Sequence, residues 1–301
     1  MRLTILGFGY SSTHFAKRHE SLFSTIAATC RTKEKAMAIL ETGYQPLLLD
    51  GEGDAGLISS ISASDVILVS AGPSVDGDPF IARVGQALSD GTLNVAQSKR
   101  ILYLSTIGVY GNHDGAWIDE KTPPCGVSDR SLWRITAENA WIELGKRLDM
   151  RVDVFRLAGI YGPCRSVVDN LQSGKAKRLI KPGQVFNRIH VTDIADTLRA
   201  ALDHTGPRRI WNVTDNEPAP PQDVVSYAAD LLGMAPPPEM AFDAAILSPM
   251  ARSFYAENKR VSNRAIREEL GVSLNYPTYR EGMKSLVQAA LASATVSGRS
   301  E

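Results

Sequence analysis

Short uncharged apolar runs alternate with helix-like stretches through the first two thirds of the chain. We predict the apolar runs as buried strands, because parallel strands covered on both faces have nearly continuous apolar sequences. The predicted strands are 3–6, 24–30, 45–50, 65–70, 100–105 and 152–157. The first predicted helix begins at Thr13, and further helices are predicted at 33–41, 54–60, 80–89 and 128–147. This alternation predicts an α/β protein with a Rossmann-type doubly wound parallel sheet and right-handed crossovers.

The pattern loosens after Gly162, where Gly, Pro and basic residues become frequent. Segments 188–193 and 209–213 are predicted to return to the sheet, with a helix at 194–202 between them. From Glu217 the chain is rich in proline, with one predicted helix at 222–232. We therefore predict a Rossmann domain at 1–162 and 189–214, a smaller C-terminal substrate lobe at 163–188 and 215–290, and a frayed tail at 291–301.

Composition narrows the class of protein. The 301 residues contain 33 Lys+Arg and 33 Asp+Glu, so the formal net charge is zero and no nucleic acid or membrane partner is indicated. The three cysteines and five histidines have no metal-ligand spacing, and we predict no metal. No apolar stretch approaches the ~20 residues of a membrane span, and Gly and Ser interrupt any signal-peptide core after Leu6. We expect a cytoplasmic monomer or homodimer that acts on a small molecule.

The loop after the first strand has the pattern of a phosphate-binding turn. It consists of Gly7, Phe8, Gly9, Tyr10, Ser11 and Ser12, and a helix is predicted after it. Gly7 allows a sharp turn, Gly9 leaves room for a pyrophosphate, and the helix N-terminus favours anions. Ser12 occupies the third position, which is normally Gly or Ala, and its hydroxyl is expected to bind a phosphate or cap the helix. The alternative is an ordinary turn of an α/β protein.

Five stretches in order carry a family resemblance. They are GFGYSS at 7–12, YLSTIGVYG at 103–111, RLAGIYGP at 156–163, RIHVTDIA at 188–195 and WNVTDNEP at 211–218. Over nearly its whole length the chain resembles an extended or atypical short-chain dehydrogenase/reductase of the NAD(P)-dependent epimerase/dehydratase type. The resemblance implies a Rossmann domain that binds NAD(P) and a C-terminal lobe that holds the substrate.

The family's catalytic set is a Ser or Thr together with a YxxxK motif. Thr106 precedes the tyrosine of the VYG motif, Tyr110, by four residues, as the family's Ser or Thr does. Counting back from Glu138 puts Arg134 at the position of the family's Lys and Arg130 at that of its Tyr. The chain therefore has RxxxR where the family has YxxxK.

This substitution changes the expected chemistry, because an arginine neither takes nor gives a proton near neutral pH. Arg134 is able to hold the nicotinamide ribose, and Arg130 to polarise a carbonyl or clamp a carboxylate or phosphate. The alternative is two solvated arginines on an exposed helix. Other candidates for the missing acid are Tyr110, Tyr161 and His190, although the family's equivalents of Tyr110 and His190 are more often structural.

The end of the second strand indicates which nicotinamide cofactor binds. Proteins that bind NAD carry Asp or Glu there, but this chain has Thr29-Cys30-Arg31-Thr32-Lys33. Arg31 suits a 2′-phosphate, so we predict NADP(H) in preference to NAD(H), with a solvated loop charge as the alternative. The further residues that the resemblance assigns to the cofactor are Thr32, Asp50, Gly51, Ala71, Gly72, Pro73, Ser105, Ala158, Gly159 and Ile160.

The predicted substrate lobe is rich in hydrogen-bond donors, which suits an anionic substrate, although such basic runs are more commonly solvated faces. We assign substrate binding to Tyr161, Arg165, Phe186, Arg188, Arg252 and Tyr255. The favoured function is an NAD(P)-dependent oxidoreductase or epimerase/dehydratase-like enzyme for a sugar-like or nucleotide-activated compound. The alternative is a relative that binds NADP, has lost the chemistry, and acts as a sensor or regulatory protein.

Overall fold

A computed structural model describes residues 1–49, 53–93, 100–207 and 209–297. The strands in this part of the chain are β1 Arg2–Leu6, β2 Thr25–Cys30, β3 Gln45–Leu48, β4 Val66–Val69, β5 Arg100–Thr106, β6 Trp117–Ile118, β7 Arg151–Leu157, β8 Gly159–Tyr161, β9 Arg178–Ile180, β10 Arg188–His190, β11 Ile210–Val213, β12 Glu239–Ala241 and β13 Arg260–Val261. The helices are α1 Tyr10–Arg18, α2 Lys33–Leu40, α3 Ala55–Ala63, α4 Ile81–Ser89, α5 Asp129–Arg147, α6 Val167–Gln172, α7 Val191–Asp203, α8 Pro221–Leu231, α9 Pro249–Phe254, α10 Arg264–Glu268 and α11 Tyr279–Ser297.

A seven-stranded sheet has the order β11-β7-β5-β4-β1-β2-β3. Strand β1 pairs in parallel with both β2 and β4, and the outer pairs β2–β3 and β4–β5 are also parallel. The chain thus proceeds outward from β1 in one direction and then in the other, so the strand order reverses beside β1. This confirms the predicted doubly wound fold, in which ligands bind at the carboxyl ends of the strands near the reversal.

The chain divides into two compact units, and the first comprises Met1–Val109, Pro124–Arg156 and Ile194–Trp211. Its core contains the buried residues Leu6, Val69, Tyr103, Trp141 and Val154. Every residue of β4 is buried, as its continuous apolar sequence predicts. The long helix α5 begins where the Ser128 hydroxyl accepts a hydrogen bond from the backbone N–H of Ser131.

The second unit comprises Tyr110–Pro123, Leu157–Asp193 and Asn212–Glu301. Three small parallel strand pairs form in it, β8–β10, β9–β12 and β6–β13. One buried cluster of this unit is built by side chains of α6, α8 and α11 together with Tyr161 and Ala219. No helix in the described part of the chain combines the length and apolar character needed to cross a membrane. The domain boundaries inferred from sequence remain a prediction.

The structure corrects three predictions of secondary structure. Helix α1 begins at Tyr10 and not at Thr13, because Gly9 already takes the N-cap position. Segment 188–193 does not return to the main sheet: β10 pairs with β8, and the chain becomes helical at Val191. The C-terminal part has α9, α10 and α11 in addition to the predicted helix, and α11 spans Tyr279–Ser297.

Candidate functional site

Gly7 is required by the backbone of the first loop. Its φ of +95° is in the region that favours glycine, and a Cβ at this position would lie 2.6 Å from the backbone nitrogen of Ala71. Its N–H also donates to the Thr29 hydroxyl at 2.8 Å. Gly7 therefore packs the loop closely against the segments that follow β4 and end β2.

Ser12 stabilises the same loop from within. Its side chain is buried, its hydroxyl donates to the carbonyl oxygen of Gly7 at 2.9 Å, and it accepts the N–H of Gly9 at 2.9 Å. The sequence left two roles open for this hydroxyl, phosphate binding and helix capping. The structure shows it in the capping role at the start of α1.

Gly9 has neither of the constraints that apply to Gly7. Its φ of −105° is accessible to any residue, and a Cβ placed on it would meet no described atom within 4 Å. The position is exposed and is the N-cap of α1. The fold therefore does not require glycine here. The absence of a side chain leaves the helix N-terminus open to a ligand that approaches the backbone closely.

The end of β2 is basic and exposed. Arg31 and Thr32 are both exposed, and the Thr32 hydroxyl caps α2 by accepting the N–H of Lys35 at 3.3 Å. Burial raises the pKa of the neighbouring Cys30 thiol. The predicted adenine-contacting residues Asp50 and Gly51 lie outside the described residues.

Arg134 lies beside the carboxyl ends of β4 and β5. One of its Nη atoms donates to the carbonyl oxygen of Leu104 at 2.6 Å and to the Tyr103 hydroxyl at 3.2 Å. Its other Nη atom would be 3.0 Å from a Cβ on Gly72, in the predicted cofactor segment Ala71–Pro73. The structure thus brings together Arg134 and Gly72, which are distant in sequence, at the edge of the sheet where doubly wound folds generally bind ligands.

Thr106 ends β5 with a hydroxyl that is only partly buried. Its oxygen accepts the N–H of Gly108 at 3.1 Å, which leaves the hydroxyl proton to be donated. The Ser131 hydroxyl donates to the carbonyl oxygen of Gly108 at 2.9 Å and so ties α5 to the same turn. Arg130, one residue earlier, is exposed and makes no hydrogen bond or ion pair within the described residues.

Ser105 is bonded to a buried ion pair. Its hydroxyl donates to Glu138, whose carboxylate also accepts the Arg156 guanidinium with a shortest distance of 2.7 Å. Both charged side chains are almost completely buried, at 3% and 4% exposure. In the sequence, Glu138 stands out only as the acidic residue four positions after Arg134. Its buried charge links β5, α5 and β7 beneath Thr106.

Three predicted residues of the second unit are packed in its interior. Tyr110 is fully buried, and its hydroxyl donates to Asn212 at 2.7 Å. Tyr161 is also buried, its hydroxyl has no partner among the described atoms, and burial raises its pKa. The ring of His190 packs edge-on against Tyr161, with 5.1 Å between the centroids. These surroundings indicate structural roles, and the raised pKa of Tyr161 does not favour proton exchange by that residue.

Arg188 and Asp215 share the interior of the second unit. One Arg188 Nη atom donates to the carbonyl oxygens of Phe186 and Ala219 at 3.0 and 3.1 Å. Asp215 is 1% exposed, and only one of its oxygens has a partner, the N–H of Glu217 at 3.1 Å. Burial raises the pKa of Asp215 to about 8. Nothing in the sequence indicates this raised pKa, because the motif WNVTDNEP locates the segment but does not show that its carboxyl is buried.

The remaining substrate candidates are spread over the second unit. Phe186 and Tyr255 stack edge-to-face at 5.0 Å, Phe242 lies 4.8 Å from Tyr255, and the Arg252 guanidinium is 5.3 Å from the Phe242 ring. Arg165 is exposed in a turn that bridges to Gly162. Of the predicted nicotinamide segment, Gly159 and Ile160 belong to β8 and Ala158 is buried beside it. No cluster of metal-ligating side chains occurs among the described residues.

The solved structures similar to this chain include one with substantial sequence identity. No protein-family model and no curated protein match the chain. A conserved protein of unknown function from Silicibacter pomeroyi DSS is 43% identical, with a TM-score of 0.84 over 96% of this chain and 99% of that one.

Proteins of the epimerase and dehydratase type share the fold at much lower identity. The dTDP-glucose 4,6-dehydratase of Bacillus anthracis str. Ames, in complex with NAD, is 17% identical over 96% of both chains, with a TM-score of 0.73. The human epimerase family protein SDR39U1, with NADPH, is 17% identical with a TM-score of 0.73 over 96% of this chain and 99% of that one. The fold that the sequence motifs predicted is therefore confirmed.

Proposed function

We propose that this chain, which belongs to the same family as the Silicibacter pomeroyi protein and has the epimerase/dehydratase fold of the short-chain dehydrogenases/reductases, binds a nicotinamide dinucleotide. The contrast between the two loop glycines carries this proposal. The positive φ of Gly7 and its close contact with Ala71 require glycine there. Neither constraint applies to Gly9, whose missing side chain leaves the N-terminus of α1 uncovered. A pyrophosphate is the group that this fold places there, and the first-turn N–H groups suit it.

We propose that the nucleotide is NADP(H) in preference to NAD(H). The end of β2 has no carboxylate to accept a ribose 2′-hydroxyl, and it presents the exposed cation Arg31. A guanidinium binds a phosphate bidentately, so a 2′-phosphate is the better ligand.

The cofactor, when bound, supplies hydride transfer, and three residues of the chain are positioned to support that chemistry. Thr106 has a hydroxyl proton to donate to a substrate oxygen, because its oxygen already accepts from Gly108. Arg134 is held at the ends of β4 and β5 and places a permanent charge beside the predicted cofactor segment. Arg130 is exposed on the same helix, and we assign it the binding of an anionic group on the substrate.

The proposed activity is that of an oxidoreductase or epimerase/dehydratase-like enzyme for a small, anionic, sugar-like or nucleotide-activated compound. The second candidate is an NADP-binding sensor or regulatory protein of the same fold. One observation favours it: Thr106, Arg130 and Arg134 include no side chain that exchanges a proton near neutral pH. Conversion of a substrate, followed by chromatography as well as by NADPH absorbance, separates the two candidates, since the sensor binds the nucleotide without turnover. Chromatography is needed because an epimerase or dehydratase returns its cofactor to the starting oxidation state and leaves the absorbance unchanged.

Calorimetry with NADPH and NADH on the full chain tests the cofactor assignment. We expect tighter binding of NADPH, and Arg31→Ala should lose roughly 1.5–3 kcal/mol of NADPH affinity, the range for a hydrogen bond to a charged group. Its affinity for NADH should remain close to that of the wild type. Equal or tighter binding of NADH by the wild type contradicts the NADP preference, and binding of neither nucleotide contradicts the proposed function.

A further inference from the structure

Lys35 places an ammonium group against the glycine loop. It belongs to the first turn of α2, and its Nζ lies 5.3 Å from the ring centroid of Phe8. Phe8 directly follows Gly7, is 8% exposed, and packs edge-on against Tyr44. Because the ring is fixed in this way, it gives the flexible lysine a preferred position above the loop.

The same ammonium acts on the end of β2. Burial raises the pKa of the Cys30 thiol, and the positive charge of Lys35 partly offsets that rise. Cys30 is the last residue of β2, directly before Arg31. Lys35 therefore lies close to both the glycine loop and the end of β2, the two segments that flank the adenine ribose in dinucleotide folds.

No carboxylate neutralises this lysine among the described residues. The nearest acid in sequence, Glu34, has a lowered pKa because its carboxylate accepts hydrogen bonds from its own backbone and from Thr32 at the start of α2. Lys35 itself is exposed and has no ion pair within the described part of the chain. Its charge is therefore available to an anion from solution.

We propose that Lys35 is a specificity-determining residue that binds the 2′-phosphate of NADP(H) together with Arg31. The inference rests on the proposed function and adds to it a residue that sequence spacing did not identify. Lys33 is the nearer cation in sequence, but residues two apart on a helix do not share a face. Lys33 is exposed and is not stacked on Phe8.

The test compares Lys35→Met with Lys33→Met in the full chain. Methionine keeps the apolar stem that covers Phe8 and removes only the charge, so folding should be retained. Calorimetry with NADPH and with NADH then gives an affinity ratio that a purely structural role does not change. We expect Lys35→Met to weaken NADPH binding about tenfold or more and to leave the affinity for NADH unchanged. Lys33→Met should preserve both affinities.

The outcomes separate this inference from the proposed function. If the wild type prefers NADPH and Lys35→Met keeps the same ratio, Lys35 only covers Phe8 and the inference is wrong. An equal loss of NADPH affinity in Lys33→Met also overturns the inference, because any nearby positive charge would then have the same effect. If the wild type binds neither nucleotide or prefers NADH, the proposed cofactor and this inference are overturned together.

Discussion

The two loop glycines differ in what they contribute, and their variants should separate folding from binding. Gly7→Ala puts a Cβ at positive φ against the backbone of Ala71, so it should lower the free energy of unfolding by more than about 1 kcal/mol. Gly9→Val meets no described protein atom near its Cβ and should fold with a melting temperature close to that of the wild type. It should nevertheless abolish NADPH binding, because its branched side chain projects where the pyrophosphate is proposed to lie. Normal NADPH binding by Gly9→Val contradicts the site.

Arg130 should act through the geometry of its guanidinium as well as its charge. If it clamps an anionic group, Arg130→Lys should impair function nearly as much as Arg130→Ala, because lysine lacks the bidentate fork. The turnover rate of each variant is measured, or, where no turnover is detected, its affinity for the ligand that the wild type binds. Arg134→Lys should be milder, since lysine is what the resembling family uses at that position. Arg147→Ala, at an exposed position on the same helix, is the control.

Should Arg130→Ala behave as the wild type does, the arginine is a solvated side chain on the helix surface. The sensor then becomes the better proposal. The pH profile of turnover gives a second check, because no tyrosine stands at this position. If the turnover rate changes with pH as a titrating tyrosine at the Arg130 position would make it change, the assignment of Arg130 to this position is contradicted.

At the scale of elements, the buried pair Glu138–Arg156 fixes α5 against β5 and β7. Glu138→Gln removes the countercharge of a buried guanidinium, and such changes cost about 3–5 kcal/mol. Urea unfolding should therefore show a large loss of stability in this variant. Glu143→Gln on the same helix breaks an exposed pair with Lys146 and should cost less than about 1 kcal/mol. Similar losses of unfolding free energy in the two variants would show that the buried pair contributes no more to stability than the exposed pair.

The position of Arg134 is another property of packed elements. Its guanidinium donates to the Leu104 carbonyl and the Tyr103 hydroxyl, and its carbon lies 5.8 Å from the Tyr103 ring centroid. Tyr103 is fully buried, which raises its pKa to about 12 despite the neighbouring cation. It therefore remains protonated at neutral pH and serves as an acceptor for Arg134. It does not replace the missing catalytic tyrosine.

For the whole molecule, the raised pKa of Asp215 lets us predict how the free energy of unfolding depends on pH. Its folded pKa of about 8 is above the ordinary 3.8, so the native state keeps a proton that the unfolded state releases. Stability should fall as pH rises between about 4 and 8, by up to about 1.4 kcal/mol per pH unit from this group. Asp215→Asn should flatten that dependence and be more stable than the wild type at pH 8.

Urea unfolding of the full chain at a series of pH values measures this effect. Asp203→Asn, at an exposed carboxylate paired with Arg199, is the control and should keep the wild-type slope. An unchanged slope in Asp215→Asn would show that this carboxyl does not govern the pH dependence.

The sequence alone determined the chain order of the first six strands of the main sheet and the location of the glycine loop. Alternating apolar runs predicted the parallel strands of the main sheet, because burial on both faces imposes a local pattern that sequence shows directly. The glycine loop, Arg31, Thr106 and Arg134 were likewise selected by motifs of fixed spacing, and their functional roles remain predictions. The motifs also indicated the fold that the comparisons confirm.

Only the tertiary structure decided which polar groups are buried and what they contact. Segment 188–193 has strand-like composition, but which strand β10 pairs with depends on distant residues. Whether Gly7 or Gly9 is required, whether Ser12 caps or binds, and where Lys35 points are set by neighbours from other elements. The buried charges of Glu138 and Asp215 have no sequence signature, because the free energy of a charge depends on its surroundings in space.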